Sequence, residues 1–264
     1  PLIKIFGENI TMIIPPADIP ISQMSMDDIW HYYIRYIGGG AVVFGGLVTM
    51  LKTLPTIWSS FVASFKEMFS AVEAAKKIRT ENDIPLYITV LGSLALVIIL
   101  AFMPFMPGDH LAKFATAFLI VFFGFFFVTV SSRIVGLIGS SSNPISGMTI
   151  TTLMLTCLLF VAVGWTGNEY AGVALCVGAI VCIAAANGGA TSQDLKTGYL
   201  VGATPKWQQV GLIIGVITSS IAIGMTLLQL HQSLGIGSKE LAAPKAQLMS
   251  IIIDGVLNQT LPWD

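Results

Sequence analysis

The stretch SSRIVGLIGSSSNPISGMT, residues 131–149, places serines, glycines, an asparagine, an arginine and a proline between two strongly apolar runs. Proline donates no backbone hydrogen bond and glycine weakens a helix, so this composition predicts a break between two helices. In a bilayer, irregular backbone is tolerated only where protein buries it or where it lines a watery cavity. The stretch is therefore either a short turn at a membrane surface or part of a solute path inside a helical bundle.

The composition of the chain indicates a membrane protein. Of its 264 residues, 55% are hydrophobic and only 10% are charged, whereas soluble domains carry about 25% charged residues. The formal net charge is -1, so no basic excess indicates a nucleic-acid partner. The cysteines Cys157, Cys176 and Cys182 all lie in apolar runs, which favours packing over disulfide formation or metal ligation.

Apolar segments of suitable length recur along the chain. A helix that crosses a bilayer needs about 20 mostly apolar residues. We therefore predict an all-α integral membrane protein, a polytopic transmembrane helix bundle of about six spans, with helix breaks or re-entrant segments and an amphipathic surface helix. The predicted spans are residues 30–54, 86–106, 111–135, 145–165, 170–186 and 210–230.

The distribution of basic residues predicts an orientation. Residues 55–82 alternate apolar and charged side chains at helical spacing, which fits an amphipathic helix on the membrane surface or a solvated linker helix. Because this segment is rich in lysine, we place it in the cytoplasm. A transmembrane domain, residues 30–231, is then flanked by extracytoplasmic segments, residues 1–29 and 232–264.

A second polar stretch, NGGATSQDLKTGY at residues 187–199, follows the fifth predicted span as the first stretch follows the third. We predict a second helix break there, on the same side of the membrane. Asn187 and Gln193 supply amide groups, and Asp194 is the only carboxylate in residues 170–239. A lone acid near membrane depth is costly, which makes Asp194 a candidate proton site, although a solvated loop carboxylate fits the same pattern.

The first stretch offers groups that could contact a solute. Ser142, Asn143, Ser146 and Thr149 provide neutral hydrogen-bonding groups. Arg133 could hold an anionic solute, because guanidinium pairs bidentately with carboxylates, or it could extend to lipid headgroups from the end of a span. No nucleophile elbow, HExxH, CxxC or Walker motif occurs in the sequence, so we predict neither an enzyme nor a metal site.

The two polar stretches also carry a family resemblance. The segments SSRIVG (131–136) and SNPISGMT (142–149), followed by TSQDLKTGYLVGATP (191–205), resemble the signature segments of the oligopeptide transporter (OPT) family in order and separation. Members of that family are longer, multi-spanning secondary transporters. The resemblance therefore implies that the chain is a portion of a longer prokaryotic transporter.

The resemblance further implies proton-coupled symport of oligopeptides or metal-chelate complexes across the plasma or inner cell membrane. The proton gradient would drive transport without a cofactor. Arg133 and the neutral groups of both stretches would bind the solute, and Asp194 would take the proton. The implied partners are the lipid bilayer, the solute and the rest of the transporter chain. A passive channel of the same architecture and a structural membrane subunit are the alternatives.

Overall fold

The computed structural model describes residues 2–15, 17–34, 78–103, 110–238 and 240–257, together with scattered positions between residues 36 and 62. No strand occurs among these residues, which confirms the all-α class. The α-helices with defined bounds are α1 (Leu2–Gly7), α2 (Met26–Ile29), α3 (Leu86–Phe102), α4 (His110–Ile138), α5 (Ile145–Val163), α6 (Asn168–Leu200), α7 (Pro205–Leu234) and α8 (Pro244–Leu257).

Four stretches of the described residues are long and apolar enough to cross a membrane. They correspond to the last four predicted spans and are Leu111–Ile138, Ser140–Val163, Asn168–Leu200 and Pro205–Leu234. The second predicted span corresponds to α3, which is apolar but only 17 residues long. The first predicted span, residues 30–54, begins with a π-helical turn, Trp30–Ile34, and its later described positions are helical. The amphipathic helix predicted at residues 55–82 falls largely outside the described residues.

The first polar stretch breaks the helix as predicted. α4 ends at Ile138, and Gly139 has a φ of 108°, a conformation that favours glycine. A single 3₁₀ turn, Ser140–Ser142, follows, and Pro144 precedes the first residue of α5. The break is therefore a compact turn of a few residues between two long helices.

The predicted second break is wrong. α6 runs for 33 residues and contains all of residues 187–199. Gly188 contacts α4 closely, since a Cβ added there would lie 2.6 Å from Cγ1 of Val128. Small residues let membrane helices approach closely without ending them, and Gly188 and Gly189 have that role here. The fifth span therefore continues past Ala186 to the end of α6.

The main core lies between α4 and α6. The two helices run in the same direction, because Ser131 contacts Ala185 while Ser140 contacts Gln193 further along both helices. α5, which lies between α4 and α6 in the sequence, contributes Met148 to the same core. Its buried residues are Ile120, Phe123, Phe127, Val130, Met148, Val177, Val181 and Ala185.

A second apolar cluster closes the end of the bundle where α5 ends and α6 begins. There α8 packs against both helices. The buried residues of this cluster are Leu153, Cys157, Phe160, Val173, Ala174, Ile253 and Leu257. Among the residues described, α8 thus fixes the relative positions of α5 and α6 at the end opposite to the two polar stretches.

The N-terminal segment forms a small structure of its own. The ammonium group of Lys4 donates to the carbonyl oxygens of Ser22 (3.0 Å) and Met24 (2.7 Å). The hydroxyl and the backbone N–H of Ser25 both donate to the Asp28 carboxylate and hold the pKa of that carboxyl below its usual range. The stabilisation of α2 by this contact is present above the ordinary pKa of aspartate, and it is lost as the pH falls through the lowered value.

α7 is attached to the bundle by its first turns. Gln208 Nε2 donates to the backbone oxygen of Asp194 (3.2 Å), and Gln209 Nε2 donates to the carboxylate of Asp83 (3.2 Å). The backbone N–H of Lys206 donates to the carbonyl oxygen of Asn82 (3.0 Å). Beyond these contacts α7 is largely uncovered, and Pro205 is the buried residue of this helix among those described.

Candidate functional site

The two polar stretches meet along the contact between α4 and α6. The buried hydroxyl of Ser131 donates to the carbonyl oxygen of Ala185 at 2.5 Å, and that of Ser132 donates to Gly188 at 3.0 Å. In return, the hydroxyl of Ser192 donates to the carbonyl oxygen of Ser132 at 2.8 Å. Interhelical bonds of this kind join membrane helices where no water competes for the same groups. We call this set of contacts the serine seam.

Asn143 joins the turn to the serine seam. Its Nδ2 donates to the hydroxyl oxygen of Ser131 at 2.8 Å. Its Oδ1 is buried and has no hydrogen-bond partner among the described residues. Gly189 lies beside it, since an added Cβ would lie 2.6 Å from Ser131 Oγ and 2.8 Å from Asn143 Nδ2. Asn143 thus holds the turn in place and retains one buried acceptor.

The other predicted groups at or near the turn, from both polar stretches, lie in different surroundings. Gln193 Oε1 accepts a hydrogen bond from the backbone N–H of Ser140 at 3.1 Å, which ties α6 to the turn. Ser142 and Ser146 are exposed on the turn and on the first residues of α5. Thr149 is 2% exposed, and its hydroxyl donates to a carbonyl of its own helix. Whether any of these groups contacts solute stays a prediction.

Asp194 and Asn187 lie on the face of α6 that points away from α4. At about 100° per residue they are only about 20° apart around the helix, and roughly opposite to the serine seam. Both line a groove of about 1090 Å³ between α6 and α7, the α6–α7 groove. Its other polar lining residues are Thr197, Gln208, Ser219 and Ser220.

Glycines of α7 leave the α6–α7 groove open. Gly211, Gly215 and Gly224 line it, and a Cβ added at any of them would meet no atom within 4 Å among the residues described. Peptide groups of α7 are therefore accessible from the groove. Small-molecule sites in proteins commonly measure about 300–1,000 Å³, so the groove has the volume of a site for a sizeable organic solute.

Arg133 lies elsewhere. It lines a separate pocket of about 520 Å³ between α4 and α6, together with Lys196, Ser132 and Ser192. Lys196 follows Asp194 by two residues, so the two charged groups point to nearly opposite sides of α6. The structure therefore does not bring Arg133 and Asp194 into one site, although both were predicted to serve one solute path.

Replacing Ser131 with alanine should lower the free energy of unfolding by about 1–2 kcal/mol, because Asn143 Nδ2 loses its acceptor and the carbonyl of Ala185 loses its donor. Chemical unfolding in mixed micelles measures the change. Ser93→Ala is the matched control, since Ser93 donates only to Thr89 on its own exposed helix, and a change within about 0.5 kcal/mol is expected there. Equal losses for both variants would contradict a special role of the serine seam.

A family model described as OPT oligopeptide transporter protein matches residues 3–264, nearly the whole chain. The chain belongs to the OPT family. A relative in Haemophilus influenzae, named "Putative oligopeptide transporter", is 32% identical over 276 residues, which cover 94% of this chain and 43% of the relative. The chain therefore spans less than half the length of that OPT protein. No solved structure matches the chain.

OPT membership confirms the resemblance carried by the two signature segments, and it confirms that this is a membrane protein. In this OPT chain the signature residues build the serine seam and the turn that Asn143 holds. No group of three or more His, Cys, Asp or Glu side chains placed to hold a metal ion occurs among the described residues.

The contribution of α7 to the α6–α7 groove was not predicted from the sequence. Gln208, Ser219 and Ser220 line the α6–α7 groove, and none of them was singled out. A signal was present, because Gly211 and Gly215 have the four-residue spacing of close helix approach, and two adjacent serines interrupt the apolar helix. The sequence alone does not show that these residues face Asp194.

Proposed function

We propose that this OPT chain is part of a proton-coupled secondary transporter that moves oligopeptides across the cell membrane, with the α6–α7 groove as its solute-facing surface. The observation that carries the proposal is the lining of that groove. A carboxylate, two amides and several hydroxyls line one cleft between two helices that are otherwise apolar. Polar groups gathered in this way at membrane depth mark solute and ion paths.

The groups in the groove match the chemistry of a peptide. A peptide offers N–H donors, carbonyl acceptors and a terminal ammonium group. The hydroxyl oxygens of Thr197, Ser219 and Ser220 can accept hydrogen bonds from peptide N–H groups. The amide of Asn187 can both donate and accept, and the backbone at Gly211 and Gly215 is within reach of an extended solute.

Asp194 is the proposed coupling residue. It is exposed to the α6–α7 groove, where its carboxylate can pair with a solute ammonium group or bind a proton. Binding solute and proton at one carboxylate links the two fluxes. For Asn143 and Gln193 the hydrogen bonds support a different role, in which the two side chains hold the turn against α6. The proposal therefore assigns solute contact to the residues of the α6–α7 groove.

Uptake by the intact protein in proteoliposomes tests the transport proposal. With an inward proton gradient, labelled di- to tetrapeptides should accumulate above their outside concentration, and a protonophore should abolish the accumulation. Flux that only equalises the two concentrations would support a passive channel, and no flux at all would support a structural subunit. Competition by unlabelled peptides and by metal chelates decides between the two predicted classes of substrate.

Cysteine labelling tests the groove itself. In a cysteine-free background, Ser219→Cys should react with a membrane-impermeant thiol reagent, and transported peptide should slow that reaction several-fold. Ser141→Cys, on the exposed turn between α4 and α5, is the control, and peptide should leave its labelling rate unchanged. If Ser219→Cys stays unreactive with and without peptide while uptake persists, the solute path lies elsewhere.

A further inference from the structure

The two ends of the α6–α7 groove differ in chemistry. We propose that the groove binds a peptide in one direction, with its free N-terminal ammonium group at Asp194 and its C-terminal side among apolar side chains, where the terminal carboxylate is not recognised. The substrates are then peptides with a free N-terminus and an apolar C-terminal side. This inference rests on the proposed transport function and names the class of peptide that the groove selects.

The order of groups along the groove follows from the course of the two helices. Residues 201–204 join α6 to α7, so α7 turns back along α6. Gln208, in the first turn of α7, donates to the backbone oxygen of Asp194. Asp194 therefore lies toward the end of the groove next to this connection, the near end. Ile183 and Leu227 line the opposite end, the far end.

The near end carries the charge of the groove. Among the described residues that line the groove, Asp194 is the one with a charged side chain. Basic residues occur in the sequence around it, at Arg79, Lys196, Lys206 and His231, but none of them lines the groove. A carboxylate attracts an ammonium group, and a hydrogen bond between two charged groups is stronger than a neutral one. The lining offers a peptide carboxylate no cation with which to pair.

The distance from the acid to the far end is that of a short peptide. At 1.5 Å per residue, Asn187 lies about 10 Å and Ile183 about 16 Å from Asp194 along the axis of α6. An extended peptide advances about 3.4 Å per residue, so about three residues separate its ammonium group from the level of Asn187 and about five from that of Ile183. The amide of Asn187 can both donate to and accept from the peptide backbone between the two ends.

The far end is apolar. Ile183, Ile223 and Leu227 line it and are 62%, 57% and 49% exposed, so a ligand can cover apolar area there. Covering that area with an apolar side chain of the peptide is favourable, whereas a carboxylate placed against it loses water without gaining a partner. We therefore expect the far end to select an apolar side chain and to tolerate an amidated C-terminus.

Competition in a counterflow assay tests the ammonium contact, with the intact protein in proteoliposomes and labelled tetra-alanine as the exchanged peptide. N-acetylation of unlabelled penta-alanine should weaken its inhibition of exchange by about fivefold, whereas C-amidation should leave the inhibition unchanged or strengthen it. In Asp194→Asn, the free and the acetylated peptide should inhibit equally. Glu169→Gln is the matched control, and it should keep the wild-type difference between the two peptides.

Two peptides of the same composition test the direction of binding. Ala-Ala-Ala-Ala-Leu should inhibit about threefold more strongly than Leu-Ala-Ala-Ala-Ala, because its leucine reaches the far end. Ile223→Ala should reduce this preference. Ile214→Ala is the matched control, because Ile214 lies on the same helix and is 58% exposed but does not line the groove, so the preference should persist.

Other outcomes overturn the inference. If no peptide is exchanged, the transport proposal fails and the inference fails with it. If peptides are exchanged but N-acetylation has the same effect on the wild type and on Asp194→Asn, the ammonium group is bound elsewhere and the inference alone fails. Weaker inhibition after C-amidation would show that a cation binds the carboxylate, and a preference for the peptide with leucine first would reverse the direction. Should Asp194→Asn fold poorly, Asp194→Glu keeps the charge and should retain the effect of N-acetylation.

Discussion

Replacing Gly189 with valine is expected to lower the free energy of unfolding by about 3 kcal/mol or more, at the severe end of the cost of overpacking. The new Cβ would lie 2.6 Å from Ser131 Oγ, 2.8 Å from Asn143 Nδ2 and 2.9 Å from Val135 Cγ2. Relief would require α4 and α6 to separate, but the serine seam holds them together on both sides of this position. The yield of monodisperse protein and the midpoint of thermal unfolding measure the effect.

Gly92→Val is the matched control for this substitution. Gly92 lies on exposed α3, and a Cβ added there meets no atom within 4 Å among the residues described. Because valine is a better helix former than glycine, the control should be neutral or slightly stabilising. A similar fall in the free energy of unfolding of both variants would show that valine destabilises any apolar helix of this protein. Close packing at Gly189 would then not be the cause of the loss.

Replacing Asp194 with asparagine is expected to abolish peptide accumulation driven by a proton gradient while exchange of peptide across the membrane continues. Asparagine keeps the size and hydrogen-bonding ability of the side chain but binds no proton in the working pH range. Parallel uptake and counterflow assays in proteoliposomes separate the two activities. This result would link the groove to coupling, on the basis of the proposed transport function.

Glu169→Gln is the control for Asp194→Asn, because it removes a carboxylate from the first turn of the same helix, far from the groove lining. Peptide accumulation by the Glu169→Gln variant should match that of the wild type. Gradient-driven uptake that survives in Asp194→Asn would exclude this carboxylate from the coupling step. Loss of counterflow as well would instead indicate that Asp194 contributes mainly to binding solute.

Local chemistry made part of the fold predictable. The four long spans follow from apolar length, and the break after α4 follows from Gly139 and Pro144, which act on their own stretch of backbone. The same reasoning failed at Gly188 and Gly189. Whether a glycine ends a helix or admits a neighbour depends on what lies opposite, and Val128 and Ser131 are more than fifty residues away in sequence.

The candidate site was predictable in residue type but not in grouping. Asp194 and Lys196 are two residues apart, which already indicated that they face different ways on a helix. Arg133 and Asp194 were expected to serve one path, but the continuous α6 places them on opposite sides of itself. The phase of α6 relative to α4 and α7 is set by packing between helices, which a single sequence does not reveal.

The attachment of α7 has a mechanical consequence. Among the described residues, the hydrogen bonds that join α7 to α6 and to residues 82–84 lie within its first five residues. At 1.5 Å per residue, a helix of 30 residues is about 45 Å long. Because these bonds hold α7 at its N-terminal end, a small change in its angle produces a large displacement at the other end. A tilt of about 10° at the hinge would displace its far end by about 8 Å at that length. A change in the angle of α7 would therefore change the width of the α6–α7 groove opposite Asn187 and Asp194.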